Sequence, residues 1–210
     1  MKKYFIILIL FILNIFLYTN KAKMSSAQID LDLEKDELAL SIFSLDNSKS
    51  ILINKSDLLI LEYIDSLSLQ KNLDLYGINV LDNIILNNLD ITDIKSYNKQ
   101  TLNNKIKLGS IDIIKNDNIK IINYYDYSFC IYKSGKNKQL NNCDFIYFLD
   151  MDKVDFTDDV LVVFFDSSID EDKIENYYDK WVDSYILNDK IIYTLKLLPN
   201  DYDVIEVPLN

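Results

Sequence analysis

Asn88, Asp90, Thr92 and Asp93 fall in one short stretch, NNLDITD (87–93), directly after the apolar run NIIL. Amide, hydroxyl and carboxylate oxygens at a strand-to-loop junction are a plausible ligand set for Mn²⁺, Mg²⁺ or Ca²⁺, and a poor one for zinc. The stretch does not have the EF-hand spacing, which needs a central glycine and a terminal glutamate. On a chain of net charge −11, acidic loop residues are also ordinary solvated surface. The chain contains no histidine. That excludes Ser-His-Asp and Cys-His nucleophile systems, imidazole zinc sites and the side chain that titrates most readily near neutral pH. Carboxylates, lysines, hydroxyls and two cysteines remain for chemistry.

The cysteines are Cys130 and Cys143. If SFCIYK (128–133) and CDFIYF (143–148) form a hairpin about residues 134–139, residues whose numbers add to 273 lie opposite each other and the two thiols face across it. A disulfide and two separately buried free thiols both remain open at this point, and a disulfide requires an oxidising compartment.

The elements that must position these groups are mostly short apolar runs. LALSIFSL (38–45), SILI (50–53), LLILEYI (58–64), DNIIL (82–86), IKIINYY (119–125), SFCIYK, DFIYFLD (144–150) and DVLVVFF (159–165) read as strands by length and residue type. DVLVVFF lacks polar alternation and is expected as a central strand buried on both faces. Helices are expected over residues 65–76, closed by Gly77, and over 168–186, where Ile174, Tyr177, Trp181 and Tyr185 recur at helical spacing behind Asp170, Glu171 and Asp172. Together these elements make an α/β (α+β) fold.

Ahead of them, Lys2 and Lys3 precede an apolar run from Tyr4 to Tyr18, and Ser25-Ser26-Ala27 offers small residues for a signal peptidase. Residues 1–27 therefore read as a signal peptide cleaved after Ala27 or an uncleaved membrane anchor, and residues 28–210 as a single extracytoplasmic domain. No cysteine follows the run, which disfavours a lipoprotein. The acidic charge and the absence of arginine argue against direct nucleic-acid binding, which relies on Lys and Arg to neutralise phosphates.

The order of these runs resembles the metallo-β-lactamase fold, in particular the hydrolase-like C-terminal domain of the DNA-uptake protein ComEC. IFSLDNSKSILI (42–53) is similar to that family's opening strand, and LILEYI (59–64) to its second, with Glu62 at the acidic position. GINVLDNIILNNLDITDI (77–94) follows the family's metal-loop motif without a gap. The resemblance implies a four-layer αββα sandwich. Asn88, Asp90 and Asp93 would take histidine positions and Thr92 that of a metal-binding aspartate. Asp150 would keep the bridging aspartate, while Phe165 and Asp166 would replace the last histidine pair. The expectation is an exported or anchored pseudoenzyme with a binding or structural role, an unknown protein partner, membrane contact through an uncleaved N-terminus, no cofactor and no metal. Two alternatives stand beside it. One is a phosphodiesterase-like hydrolase with Mn, Mg or Ca held by Asp90, Asp93, Asp150 and Asp166, and the other is an exported binding protein of unrelated fold.

Overall fold

The computed structural model describes residues 29–209 except 30, 35, 46–47, 54–57, 64–65, 79, 87–94, 117, 134–138, 141, 151–154, 157–158, 176–181 and 189. The expected signal or anchor helix over residues 1–27 and the NNLDITD loop lie outside these. Among the described residues no helix is long and apolar enough to cross a membrane.

Strands dominate. The first sheet takes β1 (Leu38–Leu45), β2 (Ser48–Ile53), β3 (Leu58–Tyr63), β4 (Leu81–Leu86) and β5 (Ser96–Thr101), and is completed by β15 (Ile191–Leu197) and β16 (Tyr202–Pro208) in the order β16-β15-β1-β2-β3-β4-β5. The second takes β6 (Lys105–Leu108), β7 (Ile111–Asn116), β8 (Ile119–Tyr124), β9 (Tyr127–Tyr132), β11 (Phe145–Phe148), β13 (Val162–Phe165) and β14 (Asp183–Ile186). Its first four strands form an antiparallel meander, and β9, β11, β13 and β14 run parallel. Between the parallel strands the chain visits β10 (Gln139–Leu140) and β12 (Asp155–Phe156), which pair with each other in a small sheet of their own. From β9 to β13 the chain thus winds as a parallel β-coil, alternating between large sheet and small.

Period-two patterning explains how the sheets stack. In β1, Leu38, Leu40 and Ile42 face one way and join the core between the two sheets, with Ile51 and Ile53 from β2 and Phe129, Ile131, Phe145, Tyr147, Val162 and Phe164 from the other sheet. Phe43 faces the other way and packs with Leu52, Ile84 and Leu73. Leu73 belongs to α1 (Ser66–Leu75), which ends at Gly77 with φ 70°. Gly77 supplies the left-handed turn that stops a helix. On the far side of the second sheet, Cys130, Ile146, Phe148, Val163 and Phe165 form a third core with Ile174 of α2 (Glu171–Glu175).

The αββα expectation is corrected here. The described helices number two, of 10 and 5 residues, against sixteen strands, so continuous outer helical layers do not form. Among the described residues the expected helix over 168–186 contributes α2, and its far end pairs in parallel with β13 as strand β14, which puts Tyr185 opposite Phe164. Tyr177 and Trp181 lie outside the described residues. Of DVLVVFF (159–165), Val162–Phe165 form a strand with both faces buried, β13, flanked by β11 and β14, while Leu161 is exposed.

The hairpin register is also corrected. β9 and β11 are parallel neighbours, and Cys130 lies opposite Ile146. Cys130 and Cys143 are nonetheless joined by a disulfide, because the coil returns Cys143 beside β9 just before β11 begins. Both are buried in the third core. Closing a loop of 13 residues contributes about 3 kcal/mol in the chain-entropy account.

Candidate functional site

Two side-chain constellations stand out, at opposite ends of the parallel strands. At the C-terminal end, Asp150 follows β11 and is exposed, while Asp166 follows β13 and is fully buried. Asp166 is closely engaged. Lys49 from β2 donates to its Oδ1, as do the Ser168 backbone N–H at 3.0 Å and the Ser168 hydroxyl at 2.6 Å, and the Tyr147 hydroxyl donates to Oδ2 at 3.0 Å. Burial pushes its carboxyl pKa up, but the bonds from Lys49 and Ser168 and the Lys49 charge outweigh that and hold it below the ordinary 3.8. The carboxylate therefore stays ionised and spends its lone pairs on protein donors, tying the first sheet to the second.

Asn88, Asp90, Thr92 and Asp93 lie outside the described residues, so of the six expected positions the structure places Asp150 and Asp166. Their strands are adjacent and in register, Phe148 opposite Phe165. Phe165, expected to stand in for a lost histidine, is buried and stacks on Phe148 with ring centroids 5.6 Å apart. Among the described residues no group of three His, Cys, Asp or Glu side chains is arranged to hold a metal ion.

At the other end, the turn between β8 and β9 meets the turn between β15 and β16 across a cleft of about 560 Å³. Tyr124, Tyr125, Asp126 and Tyr127 line one wall, Leu198 to Asn200 another, and Asp36 closes the rim. The cleft joins the sheets. Tyr127 donates its hydroxyl to the Asp201 carbonyl at 3.1 Å and its ring lies 5.7 Å from Phe145, which in turn meets Tyr202 edge-on at 5.3 Å.

Tyr125 is the unusual residue. Tyr124 pairs with Tyr127, so Tyr125 and Asp126 form a two-residue hairpin loop, and Tyr125 has φ 51°. Positive φ at the first loop position alone is the type II′ pattern, which glycine ordinarily fills. The chain follows that rule two hairpins earlier, between β6 and β7, where Leu108 pairs with Ile111 and Gly109 takes φ 59°. In the β8–β9 hairpin it places a bulky aromatic side chain in a conformation that costs an L-residue about 1–2 kcal/mol. That side chain is 66% exposed, so burial of its ring does not compensate. Its contact is an edge-on pair with Tyr124, centroids 4.7 Å apart and planes at 70°.

Sequence reasoning passed over this site. Its signal was YYDY (124–127), a hairpin loop lacking glycine and asparagine between two alternating strands. No protein-family profile and no curated protein matches the chain. With the scarcity of helix among the described residues, that overturns the resemblance to metallo-β-lactamase-fold proteins and to the ComEC domain.

Proposed function

We propose that this chain is an exported domain that works by non-covalent recognition, with the tyrosine cleft as its binding surface. The observation that carries this reading is Tyr125, an exposed aromatic ring held at a strained backbone position over a cleft of a size that admits ligands. Strain retained without burial points from structure to function. The buried Cys130–Cys143 disulfide supports an oxidising compartment, with the chain either released or tethered by its apolar N-terminus. The hydrolase alternative gains nothing from Asp166, whose oxygens already accept from Lys49, Tyr147 and Ser168.

The test is amide chemical-shift mapping of the full-length chain in detergent micelles against tetralysine, a neutral tetrasaccharide and glycerophosphocholine. Saturable shifts confined to residues 124–127 and 198–200 are expected for at least one probe. If no probe moves those amides, the reading fails.

A further inference from the structure

Building on the cleft as a binding surface, we infer that its occupant is a basic segment of a partner polypeptide, with a lysine ammonium or arginine guanidinium set against the Tyr125 ring between Asp36 and Asp126. The face of a tyrosine ring attracts cations, and the Tyr125 ring is presented to solvent rather than packed away. Both aspartates are exposed on the cleft rim, and the ion pairs among the described residues engage Glu37, Asp112 and Asp166 instead. Lys196, the lysine nearest in sequence to Leu198, is taken up by Glu37 at 2.9 Å. Among the described residues no lysine lines the cleft.

The hydroxyls of the cleft report the same field. Burial pushes Tyr124 up, and the Asp36 carboxylate pushes it further; Tyr127 is raised by burial and then by Asp201, Asp144 and Asp126. Both phenols stay neutral at physiological pH, in a negative potential that repels anions and favours a positive group. The chain's net charge of −11 extends that preference over longer range. The cleft is open to solvent between its two turns, so an extended chain can cross it while one long side chain enters, and about 560 Å³ accommodates both.

The probe is tetralysine with blocked ends, titrated calorimetrically into the full-length chain, beside the same peptide with every lysine acetylated. Saturable one-to-one binding is expected for the charged peptide, weakened about tenfold by acetylation and by Tyr125→Gly, which keeps the turn geometry and removes the ring. Asp126→Asn should weaken it similarly, whereas Asp82→Asn, exposed on β4 and not among the residues that line the cleft, should leave it unchanged. Equal binding by Tyr125→Gly and wild type would reduce the attraction to diffuse charge and overturn the inference. Saturable binding of the acetylated peptide or a neutral sugar at the cleft, without the charged peptide, would keep the binding reading and discard the cationic occupant. Silence from every probe would remove both. Urea midpoints of each variant establish that it is folded.

Discussion

Replacing Lys49 by methionine should destabilise the fold by about 3–5 kcal/mol at neutral pH, because it strands the Asp166 carboxylate in the interior. The geometry sets the size. Asp166 is fully buried and the Lys49 side chain 14% exposed, so the pair is neither a surface bridge worth a few tenths nor one that water can replace. With an m-value of about 2 kcal/mol/M, the urea midpoint should fall by about 1.5–2.5 M. The pH dependence distinguishes a stranded charge from simple loss of packing. In the wild type the Asp166 pKa is depressed below 3.8, so its contribution is present above that value and is lost only as the pH falls through the depressed one. Without Lys49, burial dominates and the folded pKa rises above the unfolded one; the contribution is then present below the unfolded pKa and lost as pH rises through the new folded value. The stability gap between variant and wild type should therefore be widest near pH 8 and narrow towards pH 4. Adding Asp166→Asn to Lys49→Met removes the buried charge and should recover about half or more of the loss at pH 8. A gap below about 1 kcal/mol that is flat with pH would refute the assignment of Lys49–Asp166 as a buried lock between the sheets.

Replacing Cys130 and Cys143 together by alanine should lower stability by about 3 kcal/mol in non-reducing urea melts, and the native wild-type chain should show no titratable thiol until denatured and reduced. Gly109→Ala should cost about 1 kcal/mol through backbone strain alone, since a Cβ there meets no atom within 4 Å, whereas Tyr125→Gly should stay within about 1 kcal/mol of wild type as relieved strain offsets lost ring contact. Elemental analysis after incubation with Mn²⁺, Mg²⁺ or Ca²⁺ should return the same metal content for Asp166→Asn and wild type. A content that falls with Asp166→Asn would make the carboxylate a ligand after all.

What the sequence made legible is what local chemistry decides. LALSIFSL is β1 with the expected boundaries, and the helix ahead of Gly77 stops where a left-handed glycine must stop it. Polar edge strands were not legible. SYNKQT pairs as β5 with most of its side chains exposed or half-buried, so no apolar alternation announces it. The far end of the 168–186 segment has helical spacing, yet Tyr185 and Ile186 gain more by joining β13, a choice that depends on a neighbour distant in sequence. The cysteines show the same limit, since their meeting follows from a coil whose return path no hairpin register describes. Asp166 was singled out only through the family resemblance, as a replaced histidine or a metal carboxylate, and its actual partner Lys49 is 117 positions away. Tyr125 was passed over because its distinction lies in φ, at which YYDY hints only by lacking a glycine.

The placement of β15 carries a consequence for when this protein can fold. β1 is central to the first sheet and pairs on one side with β2, yet on the other with residues 193–197. While the chain is being made, residues 38–42 present an unpaired apolar edge until residues 193–197 have emerged. Closure is thus a late, long-range event, slow by its topology and exposed to aggregation until it happens.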